Sequence, residues 1–267
     1  MSVILKKKGQ LQYLQAEGIG ASHCFTTRLG GVSTGFLSSM NIGTSRGDTR
    51  ENVLENYRIL GEALGFDPHN LVLSRQIHSD IVRVAEGSCR GAGLYAQPMP
   101  DCDALITNEK GLALVIFTAD CTPILFWDPV TGAVGGAHAG WRGTAGAIAA
   151  KTVRAMESTF GCRAENIRAA IGPNIGPCHF ETNADVPQAM LEAFGTEARD
   201  YIEKTGEKYH VDLKGLNAMI LRNAGVSHIE VSDACTACRQ DLFWSHRLVG
   251  QQRGSEGAVI VCGEGCK

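Results

Sequence analysis

Two apolar runs, Thr122–Trp127 and Ala133–Ala137, are separated by Asp128-Pro129-Val130-Thr131-Gly132. Proline presets the backbone angle of a turn, aspartate bonds back to nearby N–H groups, and glycine takes the left-handed conformation. The pattern predicts a β-hairpin. Just upstream, Leu112–Phe117 is apolar at every position. A strand with no polar face must be covered on both sides. The chain is therefore constrained to a sheet sandwiched between other layers.

The flanking segments supply those layers. Residues 51–65 place Val53, Leu54, Tyr57, Leu60, Ala63 and Leu64 on one helical face, and Gly65 stops the helix. Thr144 is positioned to cap a second helix running to Phe160. Further helices are expected near 184–194 and 213–224. Further strands are expected at 71–74, 81–85, 167–171, 229–231 and 258–261. Strict βαβ alternation is absent, and the hairpin requires antiparallel pairing. The expected fold is a mixed α/β (α+β) single domain over 1–267, with helices covering mixed sheets. Apolar residues make up 44% of the chain, enough for such a core.

The same numbers narrow the partners. A net charge of −3 with one dense basic cluster, Lys6–Lys8, argues against a nucleic-acid backbone as the main ligand, and the cluster reads as a solvated strand end. No stretch approaches the ~18 apolar residues of a membrane helix. The N-terminus lacks the charge-then-apolar order of a signal peptide. A cytoplasmic protein without membrane contact is expected. Most of the ten cysteines are then expected to be buried small hydrophobes rather than disulfides.

The hairpin brings chemistry with it. Cys121 and His138 are seventeen residues apart in sequence. If the turn centres on Val130, Cys121 lies opposite Ala139, beside His138. Cross-strand neighbours have Cβ atoms about 4.5–5.5 Å apart, close enough to share one ion. His78, between two strand patterns, is the best third ligand. Two histidines and one cysteine form a catalytic type of zinc set, which leaves a fourth position open for water. Two other readings fit the spacing. One is a buried cysteine beside a core histidine. The other is a metal-free Cys121/His138 nucleophile pair, a cysteine hydrolase. Glycines 135, 136, 140 and 143 around His138 predict a tight strand-to-helix turn. With Arg142 as a bidentate donor, that turn suggests a phosphate or carboxylate site. Gly172–Pro177 reads as a rigid connector or a pocket-lining loop. Cys235 and Cys238 could join Cys262 and Cys266 in a four-cysteine structural zinc site, or act as a redox pair.

Taken together, these motifs resemble the laccase-domain, YfiH-like family of purine nucleoside phosphorylases, once labelled multicopper polyphenol oxidases. The resemblance runs through Thr26–Ser33, Asn41–Gly43, Gly47-Asp48, Gln76–His78, Asp101–Ala104, Thr118–Cys121, His138–Gly143, Ile171–Pro173, Cys235-Thr236 and Phe243–Arg247. It implies an α–β–β–α layered fold and zinc at His78, Cys121 and His138, which would be both metal ligands and catalytic residues. It implies phosphorolysis of adenosine, inosine and methylthioadenosine, with adenosine deamination as a second activity. Purine nucleoside and phosphate are thus the expected partners. Arg28 and Asn41 match polar positions expected to bind substrate, alongside Arg142. The chain departs from the family at His246-Arg247-Leu248, where a Tyr-Arg-Arg sequence is usual; Arg253 is a later arginine that could stand in. Eight histidines without a His-x-His pair argue against a multicopper centre. Copper is expected only as a minor occupant of the zinc site, with weak polyphenol oxidation.

Overall fold

The computed structural model describes residues 3–263. The chain opens with β1 (Val3–Lys8), β2 (Leu11–Ala16) and β3 (His23–Thr26), followed by α1 (Arg50–Leu64). Then come β4 (Leu71–Leu73), β5 (Val82–Val84), β6 (Ala104–Thr107), β7 (Ala113–Thr118), β8 (Thr122–Trp127) and β9 (Val134–Ala139). The second half contains α2 (Trp141–Ala145), α3 (Ile148–Phe160), β10 (Arg168–Ile171), β11 (Glu181–Thr182), α4 (Asp185–Phe194), β12 (Ile202–Thr205) and β13 (Lys208–Val211). It closes with α5 (Leu213–Asn223), β14 (His228–Val231), α6 (His246–Val249) and β15 (Glu256–Val261).

Two six-stranded mixed sheets carry the fold, in the orders β1-β2-β3-β15-β7-β4 and β14-β10-β8-β9-β6-β5; β11, β13 and β12 form a small third sheet. Alternation of side chains along each strand explains the layers. In β7, Leu114 and Ile116 join Ile260 of β15 and Leu105, Leu125 and Val134 of the second sheet in an inter-sheet core. Their neighbours Ala113 and Val115 point the other way, onto Val53, Tyr57, Leu60 and Leu64 of α1. On the far side, Ile106, Ile124 and Ala137 pack against Ile148, Val153 and Met156 of α3 and Leu216 and Ile220 of α5. The result is the expected α–β–β–α stack. No helix among the described residues is long and apolar enough to cross a membrane.

The first helix ends as its sequence indicates, with Gly65 in the left-handed region. Its start is capped by Thr49, a residue the sequence reading did not single out, which accepts a bond from the Asn52 N–H at 3.2 Å. Two expectations are corrected. The hairpin pairs Thr122 with Ala139 and Pro123 with His138, one residue out of the predicted register. The wider turn is set by Asp128, whose Oδ1 accepts from the Val130 N–H at 2.8 Å and whose carbonyl accepts from Gly132. Cys121 therefore falls opposite the Gly140 position. Secondly, Thr144 caps nothing. The expected helix is broken into α2 and α3 at Ala147, which has φ 55, and the buried Thr144 hydroxyl instead accepts a bond from Asn217.

Candidate metal centre and cationic cavity

Antiparallel pairing places the start of β8, the end of β9 and the start of β6 side by side at one end of the central strands of the second sheet. Cys121 precedes β8, His138 is the penultimate residue of β9 and Asp103 precedes β6. The loop after β4 delivers His78 to the same point. One ligand atom from each of His78, Cys121 and His138 lies within 4.8 Å of the others, and the two imidazoles meet edge to face at 4.8 Å. Gly140 leaves the room they need. A Cβ there would stand 3.0 Å from His78 Nδ1 and 3.3 Å from Cys121 Sγ.

Asp103, fully buried, organises the group. One carboxylate oxygen bonds His138 Nδ1 at 2.8 Å and accepts the His78 N–H at 3.0 Å. The other accepts the Ser79 hydroxyl at 2.6 Å and the Ser79 N–H at 2.7 Å. With Nδ1 engaged, His138 presents Nε2 to the cluster. A carboxylate behind a histidine in this way fixes ring orientation and ligand basicity. The residue carries no obvious signal of this role beyond its place in Asp101–Ala104, and sequence reasoning left it out of the site.

Backbone strain concentrates here. His78 has φ 60 and Asp120, immediately before Cys121, has φ 83. Such conformations persist when surrounding bonds over-determine them. Asp120 accepts from Thr236 Oγ1 at 2.6 Å, Ser245 Oγ at 3.0 Å and the Arg247 N–H at 2.6 Å, and its carbonyl accepts from the Ile175 N–H. Gly172–Pro177 thus buttresses the start of β8, and its Asn174 donates to Thr122 Oγ1 at 2.7 Å. It does not line the main cavity.

The electrostatics favour a thiolate. Burial alone raises the Cys121 thiol, but the charge and hydrogen bond of His138, with help from His78, bring it down to about 6. Burial lowers His138, and the Cys121 thiolate and Asp103 more than compensate, raising it to about 9. Asp103 is likewise penalised by burial, yet its bonds to His138 and Ser79 hold it down at about 2. A deprotonated sulfur is what a metal ligand requires.

The cluster opens into a cavity of about 520 Å³. Arg46, Arg75 and Arg253 line it with His78, His138 and His246, and among the described residues its wall contains no aspartate or glutamate. Arg253 is nearly buried and donates to His246 Nδ1 at 3.4 Å. Arg46 donates to Ser255 Oγ and Gln251 Oε1, both at 3.2 Å. Burial, and then the nearby Arg46 charge, lower the Arg253 pKa. Phe117 adds an apolar surface, held from behind by Gln76, which accepts its N–H at 2.7 Å and donates to its carbonyl at 2.8 Å.

Of the residues expected at the substrate, none lines this cavity. Arg142 is exposed, its guanidinium 4.2 Å over the Trp141 ring, because α2 turns it away from the end of β9. Arg28 bonds the carbonyls of Ser38 and Gln240, stitching two loops together, and its guanidinium lies 5.1 Å over Trp244. Asn41 sits one layer behind: its Oδ1 accepts from Gly43 and Ser255, which do line the cavity, and its Nδ2 donates to Asp48 at 2.9 Å. Of the late arginines, Arg253 reaches the cavity, while Arg247 turns away to the carbonyls of His179 and Glu181.

A layered mixed fold with a two-histidine, one-cysteine cluster at the ends of central strands defines a class. Residues 22–263 match the family model described as multi-copper polyphenol oxidoreductase laccase, and the chain belongs to that family. Among its curated relatives is the purine nucleoside phosphorylase YlmD of Geobacillus stearothermophilus, 39% identical over 91% of this chain and 89% of that protein. The purine nucleoside phosphorylase YfiH of Escherichia coli is 35% identical over 88% of this chain and 91% of its own length. The crystal structure of YlmD from Geobacillus stearothermophilus superposes with a TM-score of 0.92 at 37% identity, covering 98% of this chain and all of that one.

Proposed function

We propose that this chain is a zinc-dependent purine nucleoside phosphorylase. The observation that carries the reading is a cavity that opens directly onto the His78–Cys121–His138 cluster, with three arginines and no carboxylate among the described residues of its wall. Arg75 is paired with Asp101 at 3.1 Å, and Arg46 and Arg253 are not so paired. Arg46 and Arg253, neither of which forms a salt bridge with a carboxylate among the described residues, call for an anion, and phosphate suits them. The names of the relatives support the same activity.

In this reading Arg46 and Arg253 hold phosphate, and Phe117 offers an apolar face to the purine. Positioning of this kind converts a bimolecular attack into a local one. A phosphate oxygen bonds to C1′ of the ribosyl group as the bond from C1′ to the purine nitrogen breaks, and the departing base takes up a proton. The products are free base and ribose 1-phosphate, or 5-methylthioribose 1-phosphate when the nucleoside is methylthioadenosine. The donor set fits zinc: three ligands, a thiolate among them, and a carboxylate behind one histidine. Zinc there would supply Lewis acidity and an acidified water, the chemistry that a secondary deamination of adenosine needs. Adenosine, inosine and methylthioadenosine are the proposed nucleosides, and the cytoplasm is the proposed location.

The test is release of base from each nucleoside by zinc-replete protein, with and without phosphate. Phosphate-dependent release that stops with chelator and returns with zinc supports the reading. Release without phosphate, or none from any of the three, overturns it.

One observation favours a second reading. Asp103, His138 and Cys121 form a carboxylate–imidazole–thiolate series, the arrangement of a cysteine nucleophile and its base. That hydrolase would keep its activity in chelator and lose it on alkylation of Cys121. It gives no role to His78, whose strained backbone is held at the same point. Copper in the same donor set accounts for weak phenol oxidation at most.

A further inference from the structure

Cys235 and Cys238, which by spacing could join Cys262 and Cys266, face other partners in the fold. Cys262 is buried at the end of the first sheet, its thiol directed at the Gly132 carbonyl, and Cys266 lies outside the described residues. Cys235 and Cys238 instead face Cys178 and His179, at the end of the Gly172–Pro177 loop.

From this juxtaposition we infer that Cys178, His179, Cys235 and Cys238 form a second, structural metal site, of the three-cysteine, one-histidine type that takes zinc. All four ligand atoms lie within 4.8 Å of one another. Cys178 Sγ is 3.6 Å from Cys238 Sγ. His179 Nδ1 is 3.3 Å from Cys178 Sγ, 3.4 Å from Cys238 Sγ and 3.9 Å from Cys235 Sγ. A tetrahedral ion with Zn–S of about 2.3 Å and Zn–N of about 2.0–2.1 Å has S···S edges of about 3.8 Å and S···N edges of about 3.6 Å. These four separations lie within about 0.3 Å of those lengths, and the two remaining edges, from Cys235 Sγ to the other two thiols, are no longer than 4.8 Å, so one ion is accommodated by a modest inward shift of Cys235.

The surroundings match. The Gly176 N–H donates to Cys235 Sγ at 3.2 Å, as backbone amides do toward metal-bound thiolates. Gly176 also permits the close approach, since a Cβ there would lie 3.3 Å from Cys235 Cβ and 3.4 Å from Cys178 Sγ. Arg247 holds the loop from outside through the carbonyls of His179 and Glu181. Four protein ligands close the coordination shell, which makes the site structural rather than catalytic.

The location gives the ion a task. It would clamp the 174–180 loop to the 235–238 turn. Ile175 and Thr236, one from each segment, both donate to Asp120, the strained residue beside Cys121. The second metal would therefore stabilise the backbone that presents the first one's cysteine.

The experiment is zinc analysis of the full chain purified under reductant without added metal, as Cys121→Ala and as Cys121→Ala with Cys178→Ser and Cys238→Ser. The Cys121→Ala background removes the first site, so the result does not depend on the phosphorylase reading. One zinc per chain is expected in the single variant and none in the triple variant. Because the serine changes could disturb folding, the unaltered chain is also alkylated and mapped by mass spectrometry. Cys178 and Cys238 are both exposed, yet they should resist alkylation until a chelator is added. Absence of zinc in the single variant, its persistence in the triple variant, or alkylation unchanged by chelator would overturn the proposal. So would a Cys178–Cys238 disulfide in zinc-free protein as isolated.

Discussion

Asp103 Oδ1 stands 2.8 Å from His138 Nδ1 while its other oxygen is taken by Ser79. The carboxylate thus orients one proposed ligand and, through the His78 N–H, anchors the loop of another. Asp103→Asn keeps the shape but removes the charge and offers an amide donor on one side. It is expected to weaken zinc binding by about 10- to 100-fold. Competition against a chelator of known affinity measures this, and unchanged affinity would show that Asp103 serves folding alone.

Gly140 tests the room at the centre. Its alanine variant would press a methyl group against His78 and Cys121. Its φ of −66 suits alanine, so the backbone is not strained. Zinc content should fall sharply while the thermal midpoint of the metal-free protein moves little. A variant that keeps full zinc would mean that the ligands have more freedom than their spacing indicates.

Arg46 and Arg253 are expected to act on phosphate rather than on nucleoside. Removal of either guanidinium should raise the KM for phosphate by about 10- to 100-fold, the range for a charged hydrogen bond. The nucleoside KM should change much less. Arg142→Ala, at an exposed position outside the cavity, should leave both constants near wild type. Initial-rate kinetics with each substrate varied in turn separates these outcomes.

Glu256 should impose a pH dependence on stability. Burial raises its carboxyl well above the usual 4.5, against the opposing backbone bonds, that of Trp244 first, and the Arg253 charge. A group with a raised folded pKa favours the fold fully below its unfolded value, and that contribution is lost as pH rises toward the folded value. Glu256→Gln is neutral throughout and can still accept the Trp244 N–H. The variant should therefore match wild type near pH 4 and become the more stable protein as pH rises from about 4.5 through neutrality. Denaturant melts across that range provide the check, and a stability difference that is flat with pH would contradict the burial argument.

The layered architecture was legible because its causes are short-range. Period-two and continuous apolar patterns in β7, β8 and β15 and the Gly65 stop of α1 act within a few residues of themselves. Cys121 and His138 were legible for the same reason: one hairpin joins them, and an error of one residue in register left them adjacent. Thr144 misled because a capping hydroxyl and a buried one look alike in sequence; the demand of Asn217, seventy-three residues away, decided between them.

The sequence by itself determined β4, β5, β7 to β10, β14 and β15, the first helix and the nearness of Cys121 to His138, with His78 named beside them as the best third candidate, since turn chemistry and side-chain alternation are local properties of the chain. Tertiary structure alone decided the cationic wall and the second cysteine cluster. Arg46 and Arg253 reach one cavity from opposite ends of the chain, and Cys178 meets Cys238 across sixty residues. Those meetings depend on how two sheets close against each other, and no local preference of the backbone encodes that closure.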